Sequence, residues 1–515
     1  MHSRIHTFQL FNPWLWRVVG ALMLYLAGAL LVAVGVSLYY GDGMQFALLF
    51  SAAVVLMAGL FLRNMVGWRR RKAAGVGGEG LFDFQLSLSG IEGVESYWLT
   101  VCVWTVLPVV GALPYLFTGV STSVTDAVFE SVSGFTTTGS TTFARPECLP
   151  VSMLVYRAMT QWVGGLGLLL LAVALLRRVG MGAGSLYEAE FSGTQQRRLH
   201  PRLARSVRRM WMAYGLMTVL MAVVLWVQGV GVVDAVCTAC STVSTGGFMT
   251  HGVGSELAAG SSGVMATLTL FMLLSGMNVA VLYRVLTLRW RGLWREGELR
   301  MYVLLYVLAV AVCTAALVVA GNGWEESVRY GVFHIAATMS TCGFYTPAPQ
   351  RWPVVVGVLT FALLVTGAMS GSTGGGMKLR RVMIIMKYIA NYFTRMLHPN
   401  VVFRVKVNGQ VVENDYINKV FAFVFLYIVF IVAGGFVLTL CGCSIPDAVC
   451  LAAANVSNLG PSPLINELGG SLDYALLPDV AKWVLALLMI AGRVELFALV
   501  AVLSPSYYRK LRIKN

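Results

Sequence analysis

Apolar segments long enough to cross a bilayer alternate with short polar stretches along nearly the whole chain. Two of them come first, at about 18–38 and 45–62, and a basic run that ends at Lys72 follows. A helix of about 20 apolar residues spans the hydrocarbon core of a bilayer. The pattern therefore predicts two N-terminal transmembrane helices within 1–72 and a glycine-rich cytoplasmic linker at 73–96.

From residue 97 onward, one unit occurs four times: an outer apolar helix, a short helix of about a dozen residues, a small-polar loop and an inner apolar helix. The outer helices are predicted at about 97–118, 210–229, 301–320 and 418–440, and the inner segments at about 157–176, 264–287, from 353 onward, and 481–502. Because the short helices cannot span the membrane, we expect ten complete crossings and four half-membrane hairpins.

These units divide the chain into pore repeat 1 (97–180), a basic cytoplasmic linker (181–209), pore repeat 2 (210–288), pore repeat 3 with an intramembrane loop (289–395), a second cytoplasmic linker (396–417), and pore repeat 4 with the C-terminal tail (418–515). The predicted fold is an all-α polytopic membrane protein. Four pseudo-symmetric helix–pore helix–helix repeats surround a central pore and are preceded by two extra transmembrane helices.

The polar loop of each unit ends on a glycine. One such loop would be an ordinary bend between two helices, but four in register indicate four quarters of a single ion pore. The fourth loop departs from the others at Asn458, Leu459 and the following Pro461, which leaves a different geometry open there. The loop residues are Thr136, Thr137, Thr138, Gly139, Ser244, Thr245, Gly246, Gly247, Ser340, Thr341, Cys342, Gly343, Ser457, Asn458, Leu459 and Gly460.

The chemistry of these loops suits a dehydrated monovalent cation. Such an ion needs a ring of oxygens in place of its water, and stacked backbone carbonyls supply one. Glycine adopts the unusual backbone angles that this arrangement demands. Exposed backbone at membrane depth is tolerated only where it lines a cavity or is buried in protein. The short helices would also aim their C-terminal carbonyl ends at the pore, which favours a cation.

An aspartate lies thirteen residues before three of the loop glycines, at Asp126, Asp234 and Asp447, and Tyr330 holds that position in the third unit. These aspartates fall at the outward starts of the pore helices. The favoured interpretation is helix N-capping and compensation of the helix dipole, with cation attraction as a secondary effect.

The third inner segment is too long for one span, and its middle is rich in glycine from Gly367 to Gly376. This composition favours an unwound loop below the four polar loops, where it would block or open the path. A packing notch for close helix approach is the alternative. The residues predicted to form this gate are Ser370, Gly371, Ser372, Thr373, Gly374, Gly375, Gly376, Lys378 and Arg493.

Arg493 falls about midway along the last predicted helix, too deep to reach the membrane surface. We expect it to contact the 370–376 loop and to add a positive barrier below the polar loops. Pairing with Glu495 is disfavoured, because residues two apart lie on different faces of a helix. Lys378 either helps to hold the loop or is an ordinary cytoplasmic flank.

Composition and charge agree with a membrane protein. The chain is 57% hydrophobic and 12% charged, has a mean hydropathy of +0.74, and carries a net charge of +15. The basic residues cluster between the repeats, which places both termini in the cytoplasm and the polar loops on the opposite side. No basic stripe interleaved with aromatic residues indicates nucleic-acid binding. The Cys237-x-x-Cys240 pair has the spacing of a redox or zinc pair but no histidine partner, so we expect no metal site there.

Further motifs carry a resemblance to a known family. They are Gly111-Ala112-Leu113-Pro114-Tyr115, Gly164-Gly165-Leu166-Gly167, the run from Gly371 to Gly376, His398-Pro399-Asn400 and Gly492-Arg493-Val494-Glu495. With the four loops, they make the chain resemble the TrkH-type subunits of the Trk/Ktr/HKT superfamily of potassium transporters over nearly its whole length. The two extra N-terminal spans are similar to TrkH rather than to the shorter Ktr type.

The resemblance implies potassium uptake across the bacterial cytoplasmic membrane, usually by a homodimer. It implies a cytoplasmic gating ring of the TrkA type that holds the nucleotide, no organic cofactor on this chain, and a gating role for the 370–376 loop. In this family a glycine in all four loops accompanies potassium preference, whereas serine in the first accompanies sodium; here the residue is Gly139. The implied potassium contacts are Thr137, Thr138, Thr245, Gly246, Thr341, Cys342, Asn458 and Leu459.

Two alternatives remain beside a potassium channel-like transporter. One is a sodium-selective or ion-coupled symporter on the same fold. The other is a membrane enzyme or receptor, which the scarcity of ionisable residues in the spans and the lack of a nucleotide-binding glycine fingerprint disfavour. The basic stretches at 184–209 and 395–415 either contact membrane lipid or dock the gating ring, and the resemblance favours docking.

Overall fold

The computed structural model describes residues 13–74, 93–165, 167, 202–251, 262–287, 292–344, 352–398, 404–408, 410–460 and 474–504. Several sequence predictions concern segments outside these residues. They are most of the 73–96 linker, the 181–209 linker up to 201, the second half of the inner helix of repeat 1, Pro399 and Asn400, and the tail after 504.

The chain begins with an antiparallel pair of helices, α1 (Pro13–Tyr40) and α2 (Gln45–Ala74). They approach most closely at Gly20 and Gly59, where a Cβ on Gly20 would lie 2.7 Å from the Gly59 carbonyl oxygen. The helix α2 continues through the basic run to Ala74. In the turn between them, Asp42 accepts a hydrogen bond from the backbone N–H of Ser152 at 3.0 Å, which ties the pair to repeat 1.

The order outer helix, pore helix, inner helix then occurs four times, as predicted. The outer helices are α3 (Gly93–Gly111) with α4 (Leu113–Phe117), α7 (Arg202–Val227), α11 (Gly297–Val319) and α15 (Asn414–Leu440). The pore helices are α5 (Val124–Phe135), α8 (Val232–Val243), α12 (Trp324–Met339) and α16 (Ile445–Val456). The inner helices are α6 (Val151–Gly165), α9 (Ser262–Ser275) with α10 (Val279–Leu286), α13 (Val354–Thr366) with α14 (Leu379–Leu397), and α17 (Asp479–Arg493) with α18 (Phe497–Leu503).

Three of the inner segments are interrupted, and only the interruption of the third was predicted. The second breaks between Ser275 and Val279, the third unwinds between Thr366 and Leu379, and the fourth bends by 110° between α17 and α18. In the described part of the chain, six continuous helices are long and apolar enough to cross a membrane, or seven if the bent pair counts as one span. This count of continuous helices leaves the expected ten crossings untested, because the broken inner segments are counted only in part. The interruptions fall where the inner segments pass the ends of the pore helices.

A small antiparallel hairpin was not predicted. It consists of β1 (Lys406–Val407) and β2 (Gln410–Val411) and lies in the second linker. Its Val405, Val407 and Val412 are buried in a cluster with Ile384 of α14. The turn residue Asn408 accepts a hydrogen bond from the first backbone N–H of α11 at 2.8 Å, so the hairpin caps that helix.

Candidate functional site

The four pore helices end in the same turn. The residue after each C-cap has left-handed backbone angles: φ is 55° at Thr137, 55° at Thr245, 58° at Thr341 and 52° at Asn458. In each turn the next N–H returns to the carbonyl five residues earlier, from Thr138 to Ser133 at 2.9 Å in the first loop and at 2.7, 3.0 and 3.0 Å in the others. A helix end closed by these backbone hydrogen bonds is the Schellman motif, which normally has glycine at the left-handed position.

Threonine at this position is strained. A β-branched residue with left-handed angles is an outlier, and such a conformation costs about 1–3 kcal/mol. Three loops nevertheless place threonine there, and the fourth has Asn458, which tolerates the region better. The fourth pore helix therefore ends in the same turn as the others despite the different sequence of its loop. Pro461 lies outside the described residues.

The loop glycines bring the turns together, and their close approaches join loops 4, 1, 2 and 3 in that order, an arrangement called the ring below. A Cβ on Gly139 would lie 2.2 Å from the carbonyl oxygen of Gly246, and one on Gly247 would lie 2.3 Å from that of Cys342. A Cβ on Gly460 would lie 2.2 Å from the carbonyl oxygen of Thr138. Each of these glycines thus abuts the residue that precedes the glycine of another loop, and no side chain fits between them.

All sixteen loop residues predicted from the sequence are buried and lie together. Two side-chain bonds join loop 4 to loop 1: Asn458 Nδ2 donates to Thr138 Oγ1 at 3.0 Å, and Ser140 Oγ donates to Asn455 Oδ1 at 3.1 Å. The pore helices direct their C-terminal carbonyl ends, which carry partial negative charge, at this ring. The arrangement can hold a desolvated cation.

Glycines of the inner segments fix the base of the ring. A Cβ would lie 2.0 Å from the Phe135 carbonyl oxygen at Gly164 and 2.1 Å from the Val456 carbonyl oxygen at Gly492. At Gly375 it would lie only 1.8 Å from the Ser457 carbonyl oxygen. The inner segments therefore touch the pore-helix ends backbone to backbone, which explains the glycines of the motifs found in the sequence.

The unwound segment between α13 and α14 lies directly against the pore-helix ends. Gly375 N–H donates to Thr341 Oγ1 at 2.7 Å, and Gly376 N–H donates to the Ser457 carbonyl at 2.9 Å. Thr373 Oγ1 is 3.3 Å from the Val243 carbonyl oxygen, at the end of the pore helix of repeat 2. The predicted gating loop thus contacts repeats 2, 3 and 4.

The other side of this loop is held by polar residues that the sequence analysis passed over. Ser370 N–H donates to Glu298 Oε1 at 2.6 Å, and Asn278 Nδ2 donates to the Ser370 carbonyl at 2.6 Å. Val279 N–H donates to the Gly371 carbonyl at 3.0 Å, so the first turn of α10 is completed by the loop. The sequence did contain a signal for this contact, because Glu298 is an ionisable residue at the very start of an apolar span.

Arg493 makes the contact with the loop that the sequence led us to expect. Its Nη1 donates to the Thr373 carbonyl at 2.9 Å, and its Nη2 donates to the Gly164 and Gly165 carbonyls at 2.7 and 3.0 Å. The guanidinium also lies 5.3 Å from the centre of the Trp104 ring. Through Arg493 the gating loop is linked to repeat 1 as well.

The surroundings of Arg493 differ from the prediction in one respect. It is the last residue of α17 rather than a mid-helix residue, because Glu495 and Leu496 have φ of 62° and 42° and the chain bends there. Glu495 forms an ion pair with Arg381 of α14. Lys378 is buried and donates to the Gly374 carbonyl, so it holds the loop rather than flanking it in solvent.

The aspartates before the pore helices are not the N-caps themselves. Ser123 is the N-cap of α5 and Ser444 that of α16, and each accepts a hydrogen bond from the backbone N–H of the aspartate three residues on. The aspartates occupy the first turn, where a negative charge favours the helix dipole. Asp126 is also paired with Lys482 of α17, at 2.7 Å.

Comparisons with known proteins agree with this architecture. The family model described as "TrkH: Cation transport protein" matches residues 86–507. The Trk system potassium uptake protein TrkH of Escherichia coli strain K12 is 32% identical over 512 residues, which cover 96% of this chain and 99% of that protein. TrkH of Halomonas elongata is 29% identical over 513 residues, which cover 96% of this chain and 98% of that protein.

A solved structure has the same fold. The crystal structure of the potassium transporter TrkH from Vibrio parahaemolyticus superposes with a TM-score of 0.80 at 28% identity, covering 96% of this chain and 99% of that one. With the four-repeat architecture and a family match over most of the sequence, this chain belongs to the TrkH family of cation transport proteins.

Proposed function

We propose that this protein takes up potassium through a channel-like pore whose selectivity filter is the ring of four loops. The observation that carries the proposal is the turn shared by the four loops, in which a Cβ on a loop glycine would lie 2.2–2.3 Å from a carbonyl oxygen of another loop. The names of the relatives, which are potassium uptake proteins, support the same ion. The potassium contacts are the backbone positions at Thr137, Thr138, Thr245, Gly246, Thr341, Cys342, Asn458 and Leu459.

The chemistry of the ring supports an ion stripped of its water. Carbonyl oxygens replace a hydration shell without carrying a full charge, so the ion is held but is also released. The left-handed strain of Thr137, Thr245 and Thr341 is a cost that only a required carbonyl arrangement justifies. Glycine in all four loops supports potassium over the sodium-selective or symporter alternative.

The gate is the loop 370–376, with Lys378 and Arg493 holding it below the filter. The contacts of Gly375, Gly376 and Thr373 with three pore-helix ends support a closed pathway in this structure. Arg493 places a fixed positive charge next to the same loop, and a cation passing there is repelled. Opening requires the loop to leave these contacts.

The protein acts in the bacterial cytoplasmic membrane with both termini in the cytoplasm, as the distribution of arginine and lysine supports. It assembles as a homodimer with a cytoplasmic gating ring of the TrkA type, and the regulatory nucleotide binds to that partner. The word "system" in the names of the relatives supports a multi-component assembly. The basic segments around 184–209 and 395–415 are the proposed docking region.

The test is rubidium uptake into proteoliposomes that hold the purified chain, with potassium or sodium as the competing ion. Inhibition by potassium and not by sodium is the expected result. Equal inhibition by both ions would favour the sodium or symporter alternative. If no uptake is seen, the measurement is repeated with the cognate cytoplasmic subunit and its nucleotide. If uptake is still absent with this gating subunit bound, a potassium pore is refuted.

A further inference from the structure

Behind loops 1 and 2 lies a buried polar cluster that neither the repeat architecture nor the gate uses. Glu130 of α5 and Arg157 of α6 form an ion pair at 2.6 Å, and both side chains are fully buried. Arg157 Nη2 also donates to Thr141 Oγ1 at 3.0 Å, and Thr142 N–H donates to Glu130 Oε2 at 3.1 Å. The pair therefore holds the segment that leaves loop 1 immediately after Ser140.

One helical turn further along α6, Gln161 holds the backbone of loop 2 by hydrogen bonds. It is fully buried, its Nε2 donates to the Gly246 carbonyl at 2.7 Å, and its Oε1 accepts from Phe248 N–H at 3.3 Å. Residues four apart lie on the same face of a helix. The guanidinium of Arg157 also packs on the Phe248 ring at 4.2 Å, so this one face of α6 contacts the outgoing segments of both loops.

The cluster is not a requirement of the repeat. The residues that correspond to Glu130, nine positions before the loop glycine, are Thr238, His334 and Leu451 in the other repeats. All four repeats form the same turn although only the first has a carboxylate there. Burial of two charges carries a large desolvation penalty, so the pair is expected to serve something other than the basic fold.

The atom that Gln161 holds is the one that sets the distance between loops 1 and 2. The Gly246 carbonyl oxygen is the nearest atom to the Cβ position of Gly139, at 2.2 Å. A donor fixed on α6 therefore determines how far this carbonyl stands from loop 1. Arg157 and Glu130 hold the other side of the same junction through Thr141 and Thr142.

We propose that Arg157 and Gln161 are positioning residues that set the spacing of loops 1 and 2 and thereby the preference of the pore for potassium over sodium. The inference rests on the proposed four-loop filter and assigns part of its selectivity to a face of α6 that does not itself line the ion path. The glycines permit the close approach of the loops, and these two side chains fix the distance between loops 1 and 2.

The test uses Gln161→Leu, which keeps the approximate volume and removes both hydrogen bonds. Rubidium uptake into proteoliposomes is measured with increasing potassium or sodium, and the ratio of the two half-inhibitory concentrations is the readout. Loss of a hydrogen bond to the carbonyl predicts a three- to tenfold fall in this ratio, about the range that one such bond supports. The matched control is Gln228→Leu, which removes a 2.9 Å bond to Thr267 away from the loops and should leave the ratio unchanged.

A purely structural role for Gln161 predicts a lower unfolding temperature with an unchanged ratio, and that result would overturn the inference. If Gln161→Leu does not fold, the same ratio is measured on Thr141→Val. This variant removes the hydroxyl that bonds to both Glu130 and Arg157 and keeps their ion pair. A fall of about threefold is expected there, and an unchanged ratio overturns the proposal. A wild-type protein without potassium preference would instead refute the proposed function itself.

Discussion

Substitution of Gly139 by serine tests the ring of loops directly. The new Cβ would lie 2.2 Å from the Gly246 carbonyl oxygen and 3.1 Å from Gly247 Cα. Non-bonded carbon–oxygen contacts are rarely shorter than about 3.3 Å, so one loop must retreat by about 1 Å. Gly139 also has φ of 87°, where a residue with a Cβ is strained by about 1–2 kcal/mol.

The effect on selectivity follows from this retreat. With an effective dielectric of about 20, withdrawal of a half-unit charge from about 3 to about 4 Å weakens its attraction for a cation by about 0.7 kcal/mol. Only the retreating loop withdraws its carbonyl, so potassium loses about 0.7 kcal/mol, which is a factor of about three. We expect Gly139→Ser to lower the potassium-over-sodium ratio in rubidium uptake by about that factor.

A matched control separates the contact from the backbone strain. Gly229 has φ of 92° and no atom within 4 Å of its Cβ position, so Gly229→Ser introduces the same strain without a collision. Its selectivity should equal that of the wild type. The ring geometry also predicts that Gly247→Ser and Gly460→Ser, whose Cβ atoms meet loop carbonyls at 2.3 and 2.2 Å, match Gly139→Ser. Wild-type selectivity in all three serine variants would refute the ring as the selective element.

Three further outcomes are expected. Arg493→Ala should raise rubidium leak through the isolated protein about tenfold, because charged bonds to the Thr373 and Gly164 carbonyls are lost; unchanged leak argues against a barrier at this residue. Thr341→Val should lower the unfolding temperature and raise leak, since it removes the acceptor of the half-buried Gly375 N–H at a cost of about 1 kcal/mol. Asp42→Asn should destabilise the protein by about 1 kcal/mol at pH 7, because the hydrogen bond from Ser152 N–H then reaches a neutral acceptor instead of a charged one. Burial raises the pKa of Asp42, but hydrogen bonds led by Ser152 outweigh it and hold the pKa below its usual value. This stabilisation is present above the unfolded-state pKa and is lost as the pH falls through the folded one, so the unfolding temperatures of Asp42→Asn and wild type should converge in acid.

The elements that could be predicted from the sequence are those with a strong local signal. The pore helices and their turns follow from a short apolar helix that ends in small residues and a glycine. The contact of Arg493 with the gating loop follows from its depth in the membrane, because a buried guanidinium must find acceptors. Even the fourth loop, with Asn458 and Leu459, keeps this turn, since the turn depends on the left-handed position and the glycine rather than on the residues between.

The elements that escaped prediction depend on tertiary contacts. The bend after Arg493 places Glu495 against Arg381, two residues that are 114 positions apart and share no sequence signal. Glu130 and Arg157 are 27 positions apart and meet only when the pore helix folds back against α6. The β-hairpin at 406–411 was missed because the second linker was interpreted only from its basic residues. Its valines nevertheless form a small buried cluster.

The positions of these contacts connect the proposed gate to the proposed filter. The 370–376 loop donates backbone hydrogen bonds to Thr341 and Ser457. Thr341 has strained left-handed angles in the proposed filter, and Ser457 is the C-cap of the fourth pore helix. Opening the gate breaks these bonds, and each is expected to contribute about 0.5–1.5 kcal/mol. Two such bonds therefore couple the two regions by about 1–3 kcal/mol, the usual size of coupling between allosteric sites. By reciprocity, an ion that stabilises the strained turns from the outward side also favours the closed loop below. Rubidium leak with the gate intact should therefore fall as external potassium rises, whereas Thr341→Val should remove part of this dependence.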